Sequence, residues 1–210
     1  MTVLRVDASI QGPASASSAL ADLVTAELAA GRPDETIVRR HLGDQPLPSD
    51  AWAAAAFAGF VPEEQRTDAQ RDALALATEL AEELRTADAV ILALPLYNWG
   101  VSQHAKTWID LVIAGGGAGT PLLEGKPVVL ITTRGGSYAP GTPKEGWDHS
   151  IGYLRRIVGD VWKADLTVIE REFTLVGVNP ALDAFTEPAA LLKKEAEEAA
   201  VAAGRALATR

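Results

Sequence analysis

The chain has 210 residues, 48% of them hydrophobic, and a formal charge of 19 − 28 = −9. That length suits one α/β domain over residues 1–210, and the composition excludes a disordered chain. The negative balance, with no Lys or Arg run beyond two residues, argues against nucleic acid or an anionic membrane as a partner. The absence of cysteine removes disulfides, thiolate catalysis and cysteine-held zinc or iron–sulfur sites.

The first segment, MTVLRVDASI, reads as a strand and not as a signal peptide. No stretch approaches the ~20 apolar residues of a membrane helix. A soluble, cytoplasmic protein is the expectation. Val3–Ser9 is followed by a polar loop, Gln11–Ser18, in which Ser15 or Ser17 can cap the next helix. Leu20, Leu23, Val24 and Leu28 recur at helical spacing, and Gly31-Arg32-Pro33 ends that helix. Thr36–Leu42 reads as a second strand. Pro46 and Pro48 mark a loop before an Ala-rich stretch with Trp52, Phe57 and Phe60.

Pro62-Glu63-Glu64 is expected to open a long helix carrying the stripe Ala69, Ala73, Leu76, Leu80 and Leu84. Ala89–Leu94 is a continuous apolar run, the pattern of a strand buried on both faces. After Pro95 and a loop, a helix begins near Ser102, with Ala105, Trp108, Ile109 and Val112 on one side. Gly115–Gly125 reads as a loop excursion. Val128–Thr133 is the fourth strand, Lys144–Val158 a helix, and Leu166–Glu170 the fifth strand. A terminal helix follows from Glu187 to Arg210, with Thr186 as its cap and Pro188 in its first turn.

Alternating strands and helices imply a parallel sheet with helices on both faces and right-handed crossovers. Such sheets bind ligands beyond the carboxyl ends of their strands, where strand order reverses. For a five-stranded order 2-1-3-4-5, the loops after strands one, three and four matter most. The first offers Ser9, Ser15 and Ser17 at a helix start, where free N–H groups and the macrodipole suit a phosphate. Helix-capping serines alone would explain the same residues. The second is Pro95-Leu96-Tyr97-Asn98-Trp99-Gly100. It supplies ring-edge donors and acceptors on Asn98 and apolar area with polar tips on Tyr97 and Trp99, with Gly100 allowing a tight turn. A turn with two packed aromatics fits equally. The third, Thr133-Arg134-Gly135-Gly136-Ser137-Tyr138, allows close backbone approach, as does any Gly-Gly turn. Gly119–Lys126 is not a phosphate loop, since Pro127 replaces the Ser or Thr that would meet magnesium. No G-x-G-x-x-G follows the first strand. His41, His104 and His149 lack metal-ligand spacing, so no metal is expected.

Together the loops resemble the FMN-dependent NADH:quinone oxidoreductases, also called FMN-dependent NADH azoreductases. The most specific part is Ala87-Asp88, Pro95–Gly100, Lys106 and Trp108-Ile109-Asp110, similar to the family's AD…PMYNF…LK…ID. Thr133-Arg134-Gly135-Gly136 resembles its S/T-R-G-G. The resemblance implies a flavodoxin-like three-layer α/β/α fold. It implies FMN, bound tightly and non-covalently, with phosphate contacts at Ser9, Ser15, Ala16 and Ser17. Ring contacts fall on Leu96, Tyr97, Asn98 and Trp99, and on Thr133, Arg134, Gly135 and Gly136. NADH or NADPH would donate two electrons by a ping-pong route to a quinone, azo or nitro acceptor, with Phe60, Trp99 and Tyr138 near that substrate. The flavin carries this chemistry, so no catalytic side chain is expected. A homodimer with active sites at the subunit junction is implied, with Phe57, Phe60 or Gly115–Gly125 reaching the partner. Leu96 and Trp99 stand where Met and Phe are usual. The Trp bears on acceptor choice more than on cofactor binding. An electron carrier, or a family member recruited to a specialised biosynthetic reduction, would share the same loops.

Overall fold

The computed structural model describes residues 1–210. In chain order its elements are β1 (Thr2–Asp7), α1 (Ala16–Gly31), β2 (Thr36–His41), α2 (Ala51–Ala58), α3 (Asp68–Thr86) and β3 (Ala89–Ala93). A short hairpin, β4 (Leu96–Tyr97) and β5 (Gly100–Val101), precedes α4 (Gln103–Gly116), β6 (Pro127–Thr133), α5 (Ile151–Leu154), β7 (Asp165–Arg171) and α6 (Thr186–Ala208). The five long strands are parallel in the order β2-β1-β3-β6-β7. Counting only these strands, that is the expected 2-1-3-4-5.

Strand periodicity explains the two layers. Successive side chains point to opposite faces. Leu4, Val6, Val90, Leu92, Val128 and Leu130 join the core beneath α2, α3, α4 and α5. Val3, Ala89, Ile91, Ala93, Val129 and Ile131 join the core beneath α1 and α6. Every residue of β3 is buried, as a central strand covered on both faces requires.

The second layer is held closely. A Cβ at Gly204 of α6 would lie 2.5 Å from the Val24 carbonyl of α1, so only glycine permits that approach. Arg205 donates to Glu27 at 2.8 Å, and Arg32 donates to the Ala208 carbonyl at 2.8 Å.

Several boundaries differ from expectation. Helix α3 starts at Asp68, not at Pro62. Thr67 and Gln70 form a reciprocal capping box, while Glu63–Gln65 make a single 3₁₀ turn. Thr67→Ala is therefore expected to cost about 1 kcal/mol and lower Tm by a few degrees in a thermal melt.

Lys144–Val158 is not one helix. Gly146 has φ 77°, and α5 begins only where Asp148 Oδ1 accepts the amides of Ser150 and Ile151. Arg155–Val161 continues it with π-type winding. Gly115 and Gly116 belong to α4, where a Cβ at Gly115 would sit 2.0 Å from the Ala77 carbonyl of α3. The loop excursion starts at Gly117 and folds Leu122 and Leu123 into the core. Thr186 does not cap α6, because its hydroxyl donates back to the Asp183 carbonyl at 2.8 Å. No helix is long and apolar enough to cross a membrane.

Candidate active site

Strand order reverses between β1 and β3, so the loops leaving them splay apart above the sheet. Ala8 continues the pairing through its amide to Ala93 O at 3.0 Å. The chain then turns at Ser9 into the start of α1. Ser15 caps that helix by accepting the Ser18 amide at 3.1 Å, and its hydroxyl lies 3.2 Å from that of Ser17. The amides of Ala16 and Ser17 have no protein acceptor. Two free N–H groups thus stand among the hydroxyls of Ser9, Ser15 and Ser17, at the positive end of a 16-residue helix.

No cation enters this cradle. Arg5, just below, is committed to Asp7 through Nε at 2.8 Å, to Asp22 at 2.5 Å and to the Ser18 carbonyl at 3.1 Å. Burial would push the Asp7 carboxyl up, but Arg5 and Arg39 outweigh it and hold it below the usual carboxylate range. Burial likewise opposes the Arg5 charge, and Asp7 and Asp22 more than restore it. The pair braces the strand end. Gly43, after β2, presses on the cradle from outside: a Cβ there would fall 1.9 Å from the Ser9 carbonyl.

The hairpin forms the second wall. Its two-residue turn places Asn98 at φ 47° and Trp99 at φ 62°, the mirror-image geometry that matches strand twist. The turn residues are therefore Asn98 and Trp99; Gly100, expected to supply the turn, sits in β5. Asn tolerates this conformation, but a bulky side chain there stores on the order of 1–3 kcal/mol of strain. The backbone of Trp99 is held by its carbonyl, which accepts the His149 amide at 2.9 Å. The Tyr97 hydroxyl lies 3.2 Å from Ser9 Oγ and accepts the Ile10 amide at 3.2 Å, joining the first two walls.

The third wall extends β6. The carbonyls of Arg134, Gly135 and Gly136 accept amides from Thr174, Leu175 and Phe173 in the loop after β7. The amides of Gly135 and Gly136 are left without protein acceptors. Leu175 packs closely over Gly135: a Cβ there would meet Leu175 Cδ1 at 2.6 Å, and that side chain would have to yield. The Arg134 side chain turns away from the cleft to Asp148 and Glu170, each at 2.6 Å. Burial works against its charge, but Glu170 and Asp148 raise it further. Tyr138 donates its amide to Glu172 at 2.8 Å, and burial pushes its hydroxyl above the ordinary range.

One cleft gathers Ser9, Ser15, Ala16, Ser17, Leu96, Tyr97, Thr133 and Gly135 of the expected cofactor residues. Asn98 opens on an adjoining cleft with Ile10 and Gln103. Trp99, Arg134 and Gly136 do not line the first cleft, nor do the expected substrate residues Phe60 and Tyr138. Phe60 is 86% exposed beyond α2. Gln11, Thr174 and Leu175 line the cleft without having been singled out. Gln11 sits in the serine loop already under suspicion. Thr174 and Leu175 follow the fifth strand, where the switch-point rule does not look.

The lining holds no carboxylate, imidazole, thiol or amine. Its donors suit a phosphate ester at the α1 end and a flat ring bearing acceptor atoms at the Gly135–Gly136 end. FMN has this combination of groups, so the residues present fit it.

Comparison with known proteins supports the reading. Residues 1–194 match the family described as having a flavodoxin-like fold. An FMN-dependent NADH:quinone oxidoreductase of Parafrankia sp. is 38% identical over 203 residues, covering 94% of this chain and 96% of the relative. The crystal structure of an azoreductase from Bacillus anthracis str. Sterne superposes with a TM-score of 0.79 at 23% identity, covering 98% of this chain and 99% of that one. An FMN-dependent NADH-azoreductase from Bacillus anthracis str. Ames Ancestor, solved in complex with FMN, gives a TM-score of 0.73 at 21% identity over 97% and 99%. The switch-point cleft, the parallel five-stranded sheet and these matches agree, and the chain belongs to the flavodoxin-like family that includes the FMN-dependent NADH:quinone oxidoreductases.

Proposed function

We propose that this chain, as one flavodoxin-like unit over residues 1–210, binds FMN and catalyses two-electron reduction of quinones by NADH, with reductive cleavage of aromatic azo compounds as an associated activity. The carrying observation is the cation-free cradle of three serine hydroxyls and two unpartnered amides, in one cleft with the unpartnered amide of Gly135 and next to that of Gly136. Bound FMN would supply the hydride chemistry, accepting from the nicotinamide and passing two electrons on.

Each wall then has a task. Ser9, Ser15 and Ser17, with the amides of Ala16 and Ser17, hold the phosphate. Leu96 and Tyr97 seat the ring while Asn98 and Trp99 shape its rim. The amides of Gly135 and Gly136 direct positive dipoles at an edge where negative charge grows on reduction. Thr133 closes the floor, and Arg134 acts through the loop it braces. Leu175 covers Gly135 and excludes water from that edge. NADH is assigned over NADPH because no basic cluster faces the cleft to meet a 2′-phosphate. The exposed rings of Phe57 and Phe60 suit a homodimer whose junction completes the acceptor pocket. Nitro compounds fit the same pocket, and a cytoplasmic location follows from this role.

The test is an absorbance spectrum of the purified protein, then anaerobic titration with NADH and NADPH. Expected are a flavin spectrum, full bleaching by one equivalent of NADH per FMN, and parallel double-reciprocal lines with a quinone. A protein that neither carries nor takes up FMN overturns the proposal. Reduction in two separate one-electron stages with no quinone turnover would make it an electron carrier.

A further inference from the structure

We propose that Trp147 sets the acceptor class: with Trp99 it forms an aromatic corner that stacks flat fused-ring acceptors, of naphthoquinone or anthraquinone type, in preference to single-ring quinones. The inference rests on the redox reading above and names the substrate class of that site.

Four observations carry it. The Trp99 and Trp147 rings lie 6.2 Å apart at 71°, so a flat guest on the face of one indole meets the other across its edge. The two rings are 47% and 50% exposed, whereas the other close tryptophan pair, Trp108 and Trp162, is buried. Trp52, also exposed, has no aromatic partner, so this is the one close tryptophan pair left open. Trp99 also has a left-handed backbone conformation, at the turn of the hairpin, and its ring lies beside Trp147. The His149 amide on the Trp99 carbonyl holds the loop that carries Trp147 against the hairpin, so the corner is built before any guest arrives.

Position supplies the selectivity. Trp99 is two residues from Tyr97, which lines the cleft, and Trp147 lies in the loop that leaves the Gly135–Gly136 wall. Since neither indole lines the cleft itself, a single ring seated over the cleft would, on this proposal, end short of the corner. A second or third fused ring would extend toward it and cover indole surface that is otherwise wet. The neighbouring Lys144 ammonium lies over the Tyr138 ring, 5.5 Å from its centroid, and makes no ion pair.

The experiment compares holoenzyme with Trp147→Ala and Trp147→Phe. A water-soluble anthraquinone, menadione and 1,4-benzoquinone serve as probes. Binding to the oxidised enzyme without NADH is measured by calorimetry, alongside kcat/KM for each. Trp147→Ala is expected to weaken anthraquinone binding roughly five- to tenfold and to lower its kcat/KM equally. Benzoquinone should stay within about twofold, as should the rate of flavin reduction by NADH, and Trp147→Phe should recover most of the loss. Equal effects on all three probes, or none, overturn the proposal. Should Trp147→Ala lose its fold or its flavin, the Phe variant decides: a smaller selective loss on the anthraquinone supports the corner, and unchanged selectivity overturns it. If the redox reading itself fails, no flavin and no turnover will be seen, yet calorimetric binding of the anthraquinone to wild type against Trp147→Ala still judges the corner.

Discussion

Gly43→Ala is expected to cut FMN retention at least tenfold and to destabilise the fold by about 1–3 kcal/mol, the usual cost of forcing a methyl into a filled site. The added carbon would lie 1.9 Å from Ser9 O and 2.8 Å from Ser9 C. Both obstacles are backbone, so no rotamer change relieves them. The strand end cannot drift either, because Ala8 is bonded to Ala93 O and Leu42 to Asp7 O. The displacement must fall on Ser9, whose hydroxyl meets both Tyr97 and the Gln11 amide. Two walls of the cleft would shift together. Thermal melts and titration of apoprotein with FMN read the two effects. Gly152→Ala is the control, since nothing lies within 4 Å of a Cβ there. Wild-type melting and wild-type FMN affinity in Gly43→Ala would refute the close contact.

Arg134→Leu is expected to cost about 3–5 kcal/mol, since removing one partner of a buried ion network strands the others. Arg134 and Asp148 are both largely buried, and Glu170 and Glu172 complete the cluster. The effect depends on pH in a definite sense. Burial works to raise the Asp148 carboxyl, but the Ile151 and Ser150 amides and Arg134 together hold it below the ordinary range. A group depressed in the folded state stabilises above its unfolded pKa, and that stability is lost as pH falls through the folded value. Without Arg134 the carboxyl loses one of the groups that depress it and moves up, although the Ile151 and Ser150 amides stay bonded to it. The variant's deficit should therefore be greatest near neutrality and shrink below about pH 4, where Asp148 can protonate. Urea unfolding from about pH 3.5 to about pH 8 measures it. A deficit constant across that range would show that charge is not the cause.

Arg134 also marks what sequence could and could not reveal. The fully apolar runs of β3 and β6 and the short β-rich run of β1 were legible because burial and strand propensity leave direct marks. Ser15 was legible as a cap for the same local reason. Arg134 was placed among the ring contacts through the resemblance of Thr133–Gly136 to the family's S/T-R-G-G. Its side chain instead leaves for Asp148 and Glu170, partners on later elements that no local pattern links to it. Leu175 and Thr174 escaped notice because they reach the cleft by pairing with the Arg134–Gly136 backbone, a contact set by topology.

Misplaced boundaries came from competing signals. Pro62 and Thr67 both announce a helix start, and the reciprocal bonds of Thr67 and Gln70 prevail. Gly100 drew attention as the flexible residue of its loop, while the turn uses Asn98 and Trp99 against their preference. That violation was invisible in composition, and it is also where the molecule holds an indole beside the cleft.

The tight seam between α1 and α6 governs the order in which the molecule can be made. Helix α1 carries the serine cradle at its first turn, yet its buried face is covered by residues beyond Thr186. The sheet covers part of that face first, but the part of it that meets α6 stays wet until α6 is made and docked. Contacts of such long sequence separation form late and slowly. The nascent cradle thus has a helix without its lid for most of translation, and a cofactor arriving early would meet a loop not yet held in shape. Loading belongs to the chain with α6 docked, and the helix farthest from the cleft in sequence is the one that times it.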